Sequence, residues 1–173
     1  LGITHAITSP LEHHAVLHTL EEQEKRGLIH LDLIRLDEVG NVDLAHLREL
    51  LAANPRTLVS LMHANNEIGN LTDIKAIAEI CKEFNAVFHS DTVQTMGHYM
   101  HDLADLKIDF ITGAAHKFHG PKGVGFLYVN GRNKIQPLIY GGAQERNMRG
   151  GTENVYGIVG LAKALELCYQ EME

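Results

Sequence analysis

The stretch "LIHLDLIRLDEVGNVDLAHLRELLAANPRTLVSLMH", residues 28–63, decides the fold. "LIHLDLIRL" (28–36) alternates apolar and polar residues, as a half-buried strand does. "VDLAHLRELLAANP" (42–55) repeats apolar residues at helical spacing and stops at Asn54-Pro55. "TLVSLMH" (57–63) is strand-like again. A strand, a helix and a strand joined by short links form the unit of a parallel sheet.

The unit extends in both directions. Upstream, "ITHAITS" (3–9) reads as a strand and "PLEHHAVLHTLEEQEKRG" (10–27) as a helix that begins near Pro10 and stops at Gly27. Downstream, "LTDIKAIAEICKEFN" (71–85) is amphipathic, with Thr72 as the expected N-cap. "AVFHSD" (86–91), "IDFITG" (108–113) and "GVGFLYV" (123–129) read as strands, and "VYGIVGLAKALELCYQEME" (155–173) as a closing helix. Residues 131–154 are loop-rich. The expected fold class is α/β: one domain with a mostly parallel sheet and helices on both faces.

The chain has 173 residues, 45% of them apolar and 21% charged, enough for one domain with a real core. A formal net charge of −7 and the lack of a long basic run argue against nucleic acid and anionic membrane as partners. No apolar run approaches the roughly 20 residues that cross a bilayer. Cys81 and Cys168 lie far apart and suit a reducing compartment such as the cytoplasm. The chain enters a strand almost at Leu1, which suggests a piece of a longer protein.

In open parallel sheets, ligands bind beyond the carboxyl ends of the strands. Three polar groups fall there: "HANNE" (63–67), "HSDTVQ" (89–94) and "GAAHK" (113–117). Each alone also reads as a turn, a cap or a solvated loop. Together they put a carboxylate, an amide, a lysine and imidazoles on one rim. Pyridoxal 5'-phosphate (PLP) needs a lysine for its Schiff base and an acid to hold its pyridine nitrogen protonated. It also needs a donor near its phenolic oxygen, where Asn66 or Gln94 could serve. His13 is a candidate ring to lie against its face.

The chain resembles the cysteine desulfurases of the NifS/IscS kind, within the class-V aminotransferase family of fold-type I PLP enzymes. The matching stretches run in family order: "ITSPLEHHAV" (7–16), "MHANNEIGN" (62–70), "FHSDTVQTMG" (88–97), "AAHKFHGPKGVGFLYV" (114–129) and "GGAQERNMRGGTEN" (141–154). The resemblance implies Lys117 as the Schiff-base lysine and His116 as a phosphate contact. It implies His13 as the histidine that stacks on the cofactor and moves protons. It places Asn66 near the phenolic oxygen and substrate, Asp91 against the pyridine nitrogen and Gln94 on the phenolic oxygen. It assigns Thr152 to the phosphate of a neighbouring subunit, hence a homodimer. The family often has Ser where this chain has Ala114.

The resemblance further implies a function: L-cysteine to L-alanine, with sulfur passed to an enzyme cysteine and then to an acceptor protein, as in iron–sulfur cluster assembly. It makes residues 1–173 a fragment of the PLP-binding large domain. The family's phosphate-binding turn is then expected before it, and a small domain with the sulfur-accepting cysteine and a substrate-binding arginine after it. The fragment alone is expected to be inactive. Cys81 and Cys168 match no catalytic position and read as structural. A selenocysteine lyase or another class-V aminotransferase is the near rival. A metal-binding domain is the distant one: His14 and His18 are spaced i, i+4, and His98 and His101 three apart, but HExxH and CxxC are missing, and no metal ligand is assigned. A non-catalytic domain is the third.

Overall fold

The computed structural model describes residues 1–172. The predicted alternation forms β1 (His5–Thr8), α1 (His14–Lys25), β2 (His30–Leu33), α2 (Leu44–Ala53), β3 (Thr57–Ser60), α3 (Ile74–Glu83), β4 (Val87–Asp91), β5 (Phe110–Ala114) and β6 (Gly125–Val129). A short left-handed turn, labelled α4 (Gln144–Asn147), with positive φ at Glu145, Arg146 and Asn147, and a long helix α5 (Val155–Glu171) follow. Glu173, the last residue of the predicted closing helix, lies outside the described residues.

The six strands pair in the order β2-β1-β3-β4-β5-β6. All pairings are parallel except β5 with β6. The exception follows from chain length. The link from Ala114 to Gly125 holds only a 3-10 turn, Ala115–Lys117, and a loop, too short for the crossover that a parallel neighbour requires. Gly125 makes the close approach possible, since a Cβ there would lie 2.5 Å from the Gly113 carbonyl oxygen.

The β1–α1–β2 and β2–α2–β3 crossovers run in opposite directions along the sheet. Right-handed crossovers therefore put α1 and α2 on opposite faces. The main core lies on the α2 and α3 side. Ile7, Val59, Phe88 and Ile111 of the central strands meet Leu47, Leu51, Ile77 and Ile80 of the helices. Leu161, Ala164 and Cys168 of α5 pack against the same cluster. Burying each large side chain contributes about 1.5–3 kcal/mol.

Two helix starts differ from expectation. α1 begins four residues after Pro10, because Pro10 and Leu11 sit in a turn closed by Glu12 N–H to the Ser9 carbonyl at 3.2 Å. His13 is the cap instead. Asp73, not Thr72, caps α3, and its Oδ1 accepts from Ala76 N–H at 2.9 Å. The charged acceptor suits the positive helix end better, and Thr72 spends its own N–H on the His63 carbonyl at 2.8 Å.

Candidate functional site

Four parallel strands end on one rim, and the predicted residues follow them. His13 comes after β1, Asn66 after β3, Asp91 and Gln94 at and after β4, and His116 and Lys117 after β5. Asp91 is the last residue of β4 and only 9% exposed. Its Oδ1 accepts from Val93 N–H at 2.9 Å, which fixes the carboxylate over its own turn. Its Oδ2 has no partner among the described residues and is not sealed from solvent. That oxygen is thus free to accept from an N–H group of a ligand.

His13 caps α1 through Nδ1, which accepts from Ala15 N–H at 3.1 Å. The capping bond leaves Nε2 as the protonated nitrogen of the neutral ring. The two adjacent asparagines divide their tasks. Asn65 is buried, donates to the Leu11 carbonyl at 2.6 Å and accepts from the N–H groups of Glu67 and Ile68. Asn66 is exposed and bonds only its neighbour, Glu67, at 2.7 Å. The first is structural and the second is available.

His116 and Lys117 occupy the 3-10 turn after β5, both exposed. Fully buried Phe118 anchors that turn, and Gly120 donates to the Ala115 carbonyl at 2.8 Å. A Cβ on Gly120 would fall 2.8 Å from Ala115 Cβ, so the loop accepts no larger residue without shifting. Gln94 is half-buried. Thr152 is exposed in the loop before α5, on a different part of the chain from the strand ends. The rim therefore brings together a lysine amine, a fixed carboxylate, an amide pair and imidazoles, a donor set that fits PLP.

Two rim residues were not singled out in the sequence. Glu12, beside His13, is 4% exposed. Its Oε1 accepts from Met62 N–H at 2.5 Å, while Oε2 is buried without a partner. Burial pushes its pKa up to about 8; the Met62 bond opposes this and the Asp91 charge adds to it. The carboxyl is therefore neutral at pH 7. His63 is also buried, its Nδ1 2.9 Å from Thr95 Oγ1 and 3.1 Å from His101 Nε2. Burial, then the facing His101, brings its pKa down to about 4 against the pull of Asp73. Both residues stand inside quoted motifs, "LEHH" and "MHANNE", but only the folding of one loop under another buries them.

The histidine spacings do not converge on an ion. The His14 and His18 rings stack at 4.4 Å between centroids. His98 Nε2 faces the Lys117 carbonyl at 3.3 Å, whereas His101 faces His63. Cys81 is buried, and burial with the Asp109 charge pushes its thiol up to about 12. Cys168 Sγ points to the Phe118 carbonyl at 3.6 Å.

Comparison with known proteins gives a consistent picture. A family model described as Aminotransferase class-V matches residues 3–173. A cysteine desulfurase IscS of Clostridium botulinum is 49% identical over 168 residues, covering 97% of this chain and 42% of that protein. A cysteine desulfurase IscS of Methanosarcina thermophila is 48% identical, covering 98% and 41%. A solved NifS-like protein superposes with a TM-score of 0.91 at 41% identity, covering 98% of this chain and 46% of its own. A NifS-like protein from Rickettsia africae gives 0.91 at 36% identity, covering 98% and 46%. The chain thus spans less than half the length of these relatives.

Proposed function

We propose, from the premise that this chain belongs to the class-V aminotransferase family, that it is the central part of the PLP-binding large domain of a cysteine desulfurase. The family is PLP-dependent. The observation that carries the reading is the rim itself: a lysine, a fixed carboxylate with one open oxygen, an exposed amide and two imidazoles at the carboxyl ends of β1, β3, β4 and β5. When bound, PLP supplies an electron sink for charge developing at the α-carbon of an amino acid.

Lys117 would be the amine that holds the cofactor covalently, and it is the rim group placed to carry the substrate α-proton. Asp91 would accept from the pyridine N–H through its open oxygen, where a nearby carboxylate favours the cationic nitrogen. Asn66 and Gln94 would orient the ring through its phenolic oxygen. His13 would lie against the ring and exchange protons, with its imidazole held in one tautomer by the capping bond. His116 would contact the phosphate; Ala114 offers no hydroxyl there.

L-Cysteine is the substrate, L-alanine the product, and the sulfur passes as a persulfide to a cysteine in the rest of the protein. An acceptor protein, such as a scaffold for iron–sulfur cluster assembly, then takes it. Cys81 is excluded from that role by its burial and its high thiol pKa. A homodimer with Thr152 reaching the partner's phosphate is supported by exposed apolar residues on either side of that loop: Leu138, Tyr140, Tyr156 and Val159. Among the described residues no helix is long and apolar enough to cross a membrane. The free thiols of Cys81 and Cys168 suit a reducing compartment, which supports assigning the protein to the cytoplasm.

The test uses the full-length protein. One PLP-loaded sample is reduced with borohydride and mapped by mass spectrometry, and a second, unreduced sample is assayed for alanine and sulfide from cysteine with excess dithiol as the reductant. The adduct is expected on Lys117, with equal alanine and sulfide. An adduct on another lysine overturns the site. Lys117 labelling with amino-group transfer to an oxo-acid, and no sulfide, keeps the site and overturns the desulfurase.

A further inference from the structure

The opposite ends of the strands carry a second group of chemistry-bearing residues. Parallel register sets His5 of β1 directly against His30 of β2. The two-residue period of a strand puts Asp32 on the same face as His30. On the other side, Thr57 of β3 stands directly against His5. One row across the sheet therefore reads His30, His5, Thr57, with Asp32 one pleat further along.

The hydrogen-bond bookkeeping of this row is incomplete. His5 is 4% exposed, with Nδ1 3.2 Å from Thr57 Oγ1 and Nε2 2.8 Å from Asp32 Oδ2. Thr57 gives its single hydroxyl proton to the Asn54 carbonyl at 2.7 Å. It can only accept from His5, so Nδ1 is the protonated nitrogen. In the neutral ring, Nε2 then turns a lone pair on a carboxylate oxygen. Either a second proton or a cation must lie between them.

His30 tips the balance toward a cation. Its Nε2 lies 3.5 Å from the other oxygen of the same carboxylate, and its ring stacks beside that of His5 at 5.2 Å. One ligand atom each from His5, His30 and Asp32 lies within 4.8 Å of the others. Glu24 of α1 adds a second carboxylate, 3.8 Å from His30 Nδ1, while its Oε1 accepts from Leu31 N–H at 2.9 Å. Two acids and two imidazoles thus meet at one spot.

We propose that His5, His30 and Asp32 form a site for a divalent transition-metal ion, of which zinc is the best match. Two imidazoles and a carboxylate select zinc-like ions over magnesium or calcium. Tetrahedral zinc holds such ligand atoms about 3.4 Å apart, at bond lengths of about 2.0–2.1 Å. His30 reaches that spacing by turning its ring, since its side chain is 69% exposed. Thr57, accepting from Nδ1–H, supplies the outer contact that fixes the tautomer of a metal-bound histidine. A water takes the fourth position. The ion fastens edge strand β2 to β1, at the end of the sheet away from Lys117, and so stabilises the fold without entering the reaction.

The test is zinc and cobalt titration of the full-length, PLP-loaded protein, purified without a His-tag and stripped with EDTA. Wild type is expected to bind one more equivalent than His30→Ala or Asp32→Asn, or to bind it more than about tenfold tighter. Its Tm rises with zinc while theirs does not. Cobalt bound at the site gives d–d bands that both variants lose, and metal-free turnover of the variants is unchanged. His30 and Asp32 are partly exposed, so these variants fold. Equal stoichiometry and equal Tm shifts in wild type and either variant overturn the site, leaving a plain imidazolium–carboxylate pair. Absence of zinc binding by wild type overturns it equally.

Discussion

Two buried carboxyl groups lie at opposite ends of the same sheet and are treated in opposite ways. Asp109, at the amino end of β5, is 2% exposed, and both its oxygens are engaged. Oδ1 accepts from Arg132 Nε at 2.7 Å and Asn133 Nδ2 at 2.6 Å, and Oδ2 from Phe88 N–H at 2.9 Å. Burial pushes its pKa up, yet these donors outweigh burial and hold it below the usual value. Glu12, at the carboxyl end, has one donor and one orphaned oxygen, and its pKa rises to about 8. Asp91 beside it keeps one oxygen open. Asp109 uses its charge to tie strands together, whereas the carboxyl end keeps Glu12 neutral and leaves one oxygen of Asp91 open to a ligand.

The strongest way to break this contrast is to remove the open carboxylate. Asp91→Ala in the full-length protein is expected to lower kcat by two or more orders of magnitude, the usual scale for one preorganised electrostatic contact. Cys81→Ala is expected to leave kcat within about twofold, because its buried thiol takes no part. Comparable losses from the two variants, measured by alanine release, would remove Asp91 from the site.

The satisfied carboxylate predicts a stability effect. Asp109→Ala leaves the buried Phe88 N–H without its acceptor and removes the bonds from half-exposed Arg132 and from Asn133, and is expected to cost about 2–3 kcal/mol in denaturant unfolding. Its pH dependence has a definite sign. The folded pKa lies below the ordinary 3.8, so the contribution is complete above that value and lost as pH falls further. An Asp109→Ala variant should therefore lose less stability than wild type on acidification below about pH 4.

Glu12 sharpens the comparison with the opposite slope. Its folded pKa is raised from 4.5 to about 8, so the stabilising neutral form is fully present below pH 4.5. The contribution is lost as pH rises from there to about 8, because the unfolded chain releases its proton first. Glu12→Gln keeps the acceptor for Met62 N–H and carries no titratable proton. It is expected to abolish about 3–4 kcal/mol of alkaline loss, read from denaturant unfolding between pH 5 and 8. An unchanged slope would mean that Glu12 is ionised and that a cation or water meets Oε2.

How much of this was legible in the sequence depends on what brings residues together. The α/β alternation was readable because local periodicity sets each element, and the fold follows from short links and handedness. The residues proposed for the rim were readable for the same reason: each sits just past a strand, so chain order delivers Asp91 and Lys117 to one edge. Thr72 failed as a cap because Asp73, one residue on, offers a charged acceptor at the helix start. Glu12 was not readable, since only the β3 loop closing over the β1 loop buries it. His5, His30 and Asp32 were hidden more deeply. Their meeting depends on cross-strand register, which no spacing within one segment encodes.

The smallest expected effect is a control for the amino end. α1 runs from its cap His13 at the rim to Lys25, with Glu24 3.8 Å from His30, and near that lower end Arg26 Nε bonds Glu22 at 2.8 Å. The geometry matches that of His5 with Asp32, at the same 2.8 Å. The surroundings do not: both side chains of the helix pair are about half exposed or more. Water screens the charges, and ordering two long side chains offsets most of the Coulomb gain. Arg26→Ala is therefore expected to change stability by less than about 0.5 kcal/mol at any salt concentration. A loss above about 1 kcal/mol would show that distance alone ranks the pairs at this end. The contrast drawn from burial and donor count would then fail.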